Sequence, residues 1–158
     1  MEQMKAEQMK NDTNWDYTLH AKYYKYRPNY APVAIDKMLS MAQAGQPGYV
    51  VADIGAGTGH LTIMLLARKQ KCIPIAPHEA MRELGIEATK GGTVEWRKGT
   101  GEQTTLSDGS VNLFAMGSSF NTTDREATLK EANRVLKPGG WFACMWNHRN
   151  LQDPSQQA

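Results

Sequence analysis

The sequence predicts an α/β fold, a doubly wound and mostly parallel sheet with helices packed on both faces. Three observations carry that expectation. Short apolar runs that read as buried strands alternate with stretches of helical periodicity along most of the chain. One such run, "VVADI", leads through the glycine-rich "GAGTG" into a second apolar stretch that reads as a helix. Near the end, "RVLKPGG" closes a helix and turns the chain straight into another strand, with Lys137, Pro138 and the Gly139-Gly140 pair as the break.

Size and charge narrow the class of function. A chain of 158 residues suits one domain with one core. With 18 Lys and Arg against 16 Asp and Glu, the net charge of +2 creates no field that would favour nucleic acid. No apolar stretch approaches the ~20 residues of a membrane span, and the start "MEQMKAEQMKNDTN" lacks the apolar centre of a secretion signal. A cytoplasmic protein with neither nucleic-acid nor membrane partner is expected. Cys72 and Cys144 fall in strand-like segments without CxxC spacing, so they read as reduced core thiols, with no metal site.

In chain order, residues 1–19 form a polar, methionine-dotted segment, 20–150 the folded domain and 151–158 a polar tail. "WDYTLHAKYYKYRPNY" is aromatic-rich, and Pro28 biases Arg27 toward extended torsions, which marks a break. From Ala31 to Ala44, Ile35, Met38, Leu39 and Ala42 share one helical face before "GQPG" ends it. "YVVADI" reads as strand, "LTIMLLARK" as helix, "KCIPIA" as strand, "HEAMRELG" as helix and "TVEWRKG" as strand. "SVNLFAMG" (strand), "DREATLKEANRVLK" (helix) and "WFACMWN" (strand) complete the alternation. Pro74 removes a donor from within the second strand, where a bulge is expected.

Asp53 and Ile54 end the first strand, Gly55 to Gly59 make the turn, and a helix begins near Thr58 to Leu61. Backbone N–H groups and the positive end of a helix dipole are then expected to face a ligand. A dinucleotide fingerprint would want glycine at position 60, which is His60, so the spacing speaks against a nicotinamide enzyme.

"VVADIGAGTGHLT" resembles the first motif of the class I S-adenosylmethionine-dependent methyltransferases, and the likeness continues through "APHEAMREL", "WRKGTGEQTTLSDGSVNLF" and "LKEANRVLKPGGWFACMWNHR". The match is to the small-molecule branch of that family and implies a Rossmann-like sheet. By this resemblance Gly55, Ala56, Gly57 and Gly59 line the methionine and ribose part of S-adenosyl-L-methionine, and Asp53 orders the loop. Ala76, Pro77 and Met81 would edge the ribose and adenine, and Thr100, Gly101 and Glu102 would rim the adenine. Ser118 and Ser119 would face the sulfonium and the acceptor, with Tyr23 and Arg27 as lid residues and Arg27 a partner for the cofactor carboxylate. His148 is the candidate catalytic base and Asp124 a second, while His60 would pack near the loop and His20 and His78 would lie on the surface.

Three departures from the family pattern stand out. Ala76 replaces the acidic residue that accepts both ribose hydroxyls, a contact worth about 1.5–3 kcal/mol. Thr100 stands where an aspartate often meets the adenine amino group, and Asn112 and Asn121 suggest a site that has drifted from its relatives or is adapted to a different acceptor. The chain also ends at "NLQDPSQQA", without the last two strands usual in the family, which would leave apolar "WFACMW" on an open edge. A homodimer or larger homo-oligomer covering that edge is expected. Two readings follow: methyl transfer to a small-molecule acceptor, or a degenerate family member with weak or no cofactor binding that serves as a binding or assembly partner.

Overall fold

The computed structural model describes residues 21 and 23–147; His20, His148 and both polar ends lie outside them. After a 3-10 turn at Tyr24–Tyr26, the chain runs through α1 (Pro32–Met41), β1 (Val50–Ile54), α2 (His60–Ala67), β2 (Lys71–Ile75) and α3 (Glu79–Ala88). It continues through β3 (Val111–Gly117), α4 (Arg125–Val135) and β4 (Leu136–Met145). The four strands form one parallel sheet in the order β2-β1-β3-β4. Because the chain leaves β1 in one direction to β2 and later crosses to β3 on the other side, the order reverses between β1 and β3. Their carboxyl ends therefore splay apart, which is where open α/β sheets bind ligands.

Local rules explain the elements. Arg27 is extended (φ −67°, ψ 139°), as the following proline requires. Pro32 opens α1 at a position where no N–H is needed. Ile35 and Leu39 of α1 and Leu61 and Leu65 of α2 bury against Val51, Leu113 and Ala115 on one face of the sheet. Ala132 and Val135 of α4 cover Val50, Ala52, Ile54, Phe114 and Met116 on the other. The alternation of Val50, Val51 and Ala52 between faces is the period of two that a strand imposes. Each large side chain buried this way contributes about 1.5–3 kcal/mol.

The strand expected at "TVEWRKG" is reduced to two isolated bridges, Cys72 to Val94 and Ile75 to Arg97. Pro74 is the reason. Cys72 N donates to Thr93 O, Glu95 N to Cys72 O, Arg97 N to Pro74 O and Ala76 N to Arg97 O. The bond between those pairs would need an N–H at position 74, which proline lacks. Trp96 nonetheless ties this edge down, donating its Nε1–H to Thr89 Oγ1 at 2.9 Å and packing where a Cβ on Gly85 would come within 2.2 Å.

"LKPGG" also differs from expectation. Leu136 is already in β4, and Lys137 to Gly140 bulge out opposite Asn112 before Trp141 rejoins the ladder at Leu113. Gly140 admits no side chain, because its Cβ would lie 2.9 Å from Lys137 O and 3.0 Å from Asn112 O. Asn112 is a structural residue at the amino end of the sheet: its Oδ1 accepts the Val50 N–H at 2.9 Å. Cys72 and Cys144 are free thiols, pushed up to about 12 and about 11 respectively, chiefly by burial. No helix among the described residues is long and apolar enough to cross a membrane.

Candidate functional site

A cavity of about 600 Å³ opens at the carboxyl ends of β1, β2 and β3. Its floor is the glycine turn. Gly55 takes φ +70°, and a Cβ there would lie 2.6 Å from Ser119 Cβ and Oγ, so glycine is required on both counts. Ser119 in turn donates to Ile54 O at 3.0 Å, fastening the end of β3 to the end of β1. The turn's amides do not point at the cavity as a set: Gly55 N and Ala56 N both donate to Ile75 O, and Gly59 N donates to Ala56 O. The backbone folds back on β2 because the burial of that carbonyl demands a partner.

Asp53 lies beneath the turn, 1 % exposed, and its Oδ2 accepts the Thr62 hydroxyl at 2.6 Å. Burial raises its carboxyl to about 6, with the Thr62 hydrogen bonds opposing the rise. It therefore joins β1 to α2 and is the carboxylate among the residues that line the cavity.

The amino-terminal segment closes the cavity as a strap. The Tyr24 carbonyl, which can only accept, takes the Nε2–H of His60 at 2.7 Å. Asn147, just past β4, donates from Nδ2 to Pro28 O at 3.2 Å and Asn29 O at 3.4 Å. Within this strap the Arg27 guanidinium lies 4.8 Å from the Tyr24 ring centre. Tyr30, which the sequence did not single out, is buried with its hydroxyl 3.0 Å from Ser118 Oγ. Burial holds that phenol above its ordinary value. Its ring occupies the space a Cβ on Gly117 would fill. Ser118 takes φ +58°, a left-handed conformation uncommon for serine, and its N–H donates to Met145 O at 2.8 Å. The small run Gly117-Ser118-Ser119 at a strand end was the signal that a bulky partner packs there.

Of the residues expected to hold a cofactor, Arg27, Asp53, Gly55, Ala56, Gly57, Ala76, Pro77, Met81, Ser118 and Ser119 line this cavity. Tyr23 is exposed outside it, with Tyr24 taking the wall position. Gly59 sits behind the wall as the left-handed N-cap of α2, backed by Trp96. Thr100, Gly101 and Glu102 are not among the residues that line the cavity. Thr100 Oγ1 accepts Gln103 N, Gly101 abuts Thr128, and Glu102 Oε1 accepts Asp124 N at 2.8 Å. Asp124 is likewise a cap, its Oδ1 accepting Ala127 N at 3.0 Å, and is not in the wall. An exposed helix start needs acceptors for its amides, and these side chains supply them. His78, expected on the surface, lines the cavity, as do Tyr30, Asn29, Thr122 and Asn147.

Sheet order, turn and cavity together define a doubly wound α/β domain with a cavity at its switch point. The chain matches the Methyltransferase domain over residues 52–144 and belongs to that family, the class I S-adenosylmethionine-dependent methyltransferases. It is 34% identical to an uncharacterized methyltransferase of Mycobacterium tuberculosis over 128 residues, which is 81% of this chain and 50% of that protein. It is 33% identical to a ubiquinone/menaquinone biosynthesis C-methyltransferase of Rubrivivax gelatinosus, over 65% of this chain and 41% of the relative. Its fold is similar to that of geranyl diphosphate C-methyltransferase from Streptomyces coelicolor, solved with Mg2+, geranyl diphosphate and S-adenosyl-L-homocysteine. That likeness has a TM-score of 0.63 and 18% identity, over 72% of this chain and 45% of that one. The chain spans about half the length of the M. tuberculosis relative.

Gly55 and Gly57 bring main chain into the floor of the cavity, and a Cβ on Gly57 would approach Met81 Cε to 3.1 Å. At the end of β2 the wall offers the Ala76 methyl where the family places a carboxylate.

Proposed function

We propose that the chain binds S-adenosyl-L-methionine in this cavity and directs in-line methyl transfer to a small-molecule acceptor. The observation that carries the reading is the lined cavity at the β1/β3 switch point, floored by Gly55 to Gly57 and closed by the strap over Arg27 and Tyr30. When bound, the cofactor supplies an electrophilic methyl on a sulfonium, so the protein's tasks are alignment and exclusion of water. Gly55 and Gly57 allow close backbone approach, Met81 gives the adenosyl group an apolar wall, and Arg27 offers a guanidinium to a carboxylate. The Tyr30 and Ser118 hydroxyls present a polar pair at the acceptor side. His148, three residues beyond β4, is the proposed acceptor of the proton that a hydroxyl or amine substrate releases, so His148→Ala lowers turnover without changing cofactor affinity.

A second reading, a family member with weak cofactor binding that acts as a binding partner, is favoured by Ala76 specifically. Calorimetric titration with S-adenosylmethionine and S-adenosylhomocysteine separates the two. Micromolar binding by the wild type supports the enzyme. Binding that appears only in Ala76→Asp, where a charged contact worth about 1.5–3 kcal/mol is restored, supports the second reading. We also propose that a second copy covers the outer edge of β4, where Trp141 is 42 % and Trp146 45 % exposed. Light scattering at micromolar concentration tests this, and a strictly monomeric species contradicts it.

A further inference from the structure

On the reading that S-adenosylmethionine lies in this cavity with its carboxylate toward Arg27, we propose that His60 is a positioning residue for that guanidinium. Arg27 is the only Lys or Arg among the described residues that line the cavity. It sits on the strap, and His60 holds the strap at two points that bracket it. The Nε2–H donates to Tyr24 O at 2.7 Å, and Nδ1 lies 3.4 Å from Asn29 Oδ1. A long side chain on a short turn binds an anion well only if the turn is already held, because otherwise the cost of ordering it falls on the ligand.

The contact with Tyr24 carries the argument. Tyr24 O also accepts the Arg27 N–H at 3.0 Å, closing the 3-10 turn, and a carbonyl oxygen has lone pairs for both donors. The Tyr24 ring meets the Arg27 guanidinium as well. Tyr24 therefore holds Arg27 by main chain and by side chain, and His60 fixes Tyr24 to the start of α2. That helix is a firm support, since Leu61 and Leu65 anchor it in the core. On the far side of Arg27, Pro28 restricts it to extended torsions and Asn29 meets Nδ1. In a neutral ring Nδ1 accepts and the Asn29 amide meets it with its NH2; in a protonated ring Nδ1 donates to Oδ1, so the contact serves either state. Asn147 ties Pro28 O and Asn29 O from the β4 side, so the strap keeps one fastening without His60. What His60 alone supplies is the anchor of the turn that carries Arg27.

The test is calorimetric titration with S-adenosylhomocysteine and with 5′-methylthioadenosine, which keeps the adenosyl group and the sulfur but lacks the amino-acid end. Far-UV circular dichroism and Tm serve as the folding check. His60→Ala should weaken S-adenosylhomocysteine about five- to tenfold and leave methylthioadenosine within about twofold. His60→Gln, whose amide nitrogen reaches the place of Nε2, should recover most of that loss, whereas His60→Asn, which reaches only the place of Nδ1, should not. This pair decides the matter if His60→Ala does not fold. In an Arg27→Ala background, His60→Ala should cost no more than about twofold further, because the two residues act as a unit. Folded His60→Ala with wild-type affinity, an equal loss for both ligands, or a loss that persists in full without Arg27 overturns the role of His60 alone. Wild-type affinity in Arg27→Ala overturns the placing of the carboxylate, and the proposal with it. A wild type that binds neither ligand overturns the cofactor reading itself.

Discussion

The two ends of the cavity are built differently. At the β1/β3 end, side chains are tied to one another and to the backbone: Asp53 to Thr62, Ser119 to Ile54 O, Tyr30 to Ser118, and His60 to Tyr24 O. At the β2 end the wall is Ala76, Pro77 and Met81 with a single imidazole, and the strand behind it is broken from its neighbour by Pro74. The contrast teaches where this chain has kept the constraints of its family. The turn and the strap under which a reacting group would lie are over-determined, while the end that would grip a sugar relies on shape.

Gly55 gives the largest test of that contrast. Gly55→Val forces an L side chain into left-handed torsions and drives its Cβ into Ser119. It should lower stability by about 2–5 kcal/mol in urea denaturation. The β2 end should be more forgiving, so Pro77→Ala is expected to change stability by under about 1 kcal/mol in the same assay.

Asp53 sharpens the comparison through pH. Its folded-state carboxyl, raised by burial to about 6, lies above the ordinary value of 3.8. Protonation therefore favours the folded state: the benefit is complete below about pH 4 and is lost as pH rises through 6. Asp53→Asn should accordingly be more stable than the wild type by about 1–3 kcal/mol at pH 8, and the difference should shrink toward zero at pH 4. Thermal denaturation of both proteins across that range checks the sign. A variant less stable at pH 8 than at pH 4, relative to wild type, would contradict the account of a buried charge.

The smallest effect belongs to Tyr30→Phe, which keeps the ring against Gly117 and removes only the bond to Ser118. A loss of about 0.5–1.5 kcal/mol is expected by chemical denaturation.

Much of the fold was legible because it is written locally. Apolar runs such as "VVADI" mark strands, and the proline at position 32 and the glycine turn mark helix starts. What the sequence concealed depends on atoms far apart in the chain. The splitting of the strand at 93–97 is half visible in Pro74, but which side of β2 its missing N–H would have faced is set by the sheet order. Thr100, Gly101 and Glu102 looked like cavity residues by position in the motif, but capping of α4 claims the carboxylate of Glu102. The amides of the glycine turn were expected at the ligand, but those of Gly55 and Ala56 bond Ile75 O, a partner supplied by the neighbouring strand. Tyr30 and His78 reach the cavity for reasons of the same kind: a small residue 87 positions away from the first leaves it room, and a β2 end without polar side chains exposes the second.

The most direct test of the central claim is a crystal structure of the chain grown with S-adenosyl-L-homocysteine. The adenosyl group is expected against Met81, with the amino-acid end over Gly55 to Gly57 beneath Arg27. A ligand bound elsewhere, or a cavity that stays empty at millimolar concentration, would contradict it.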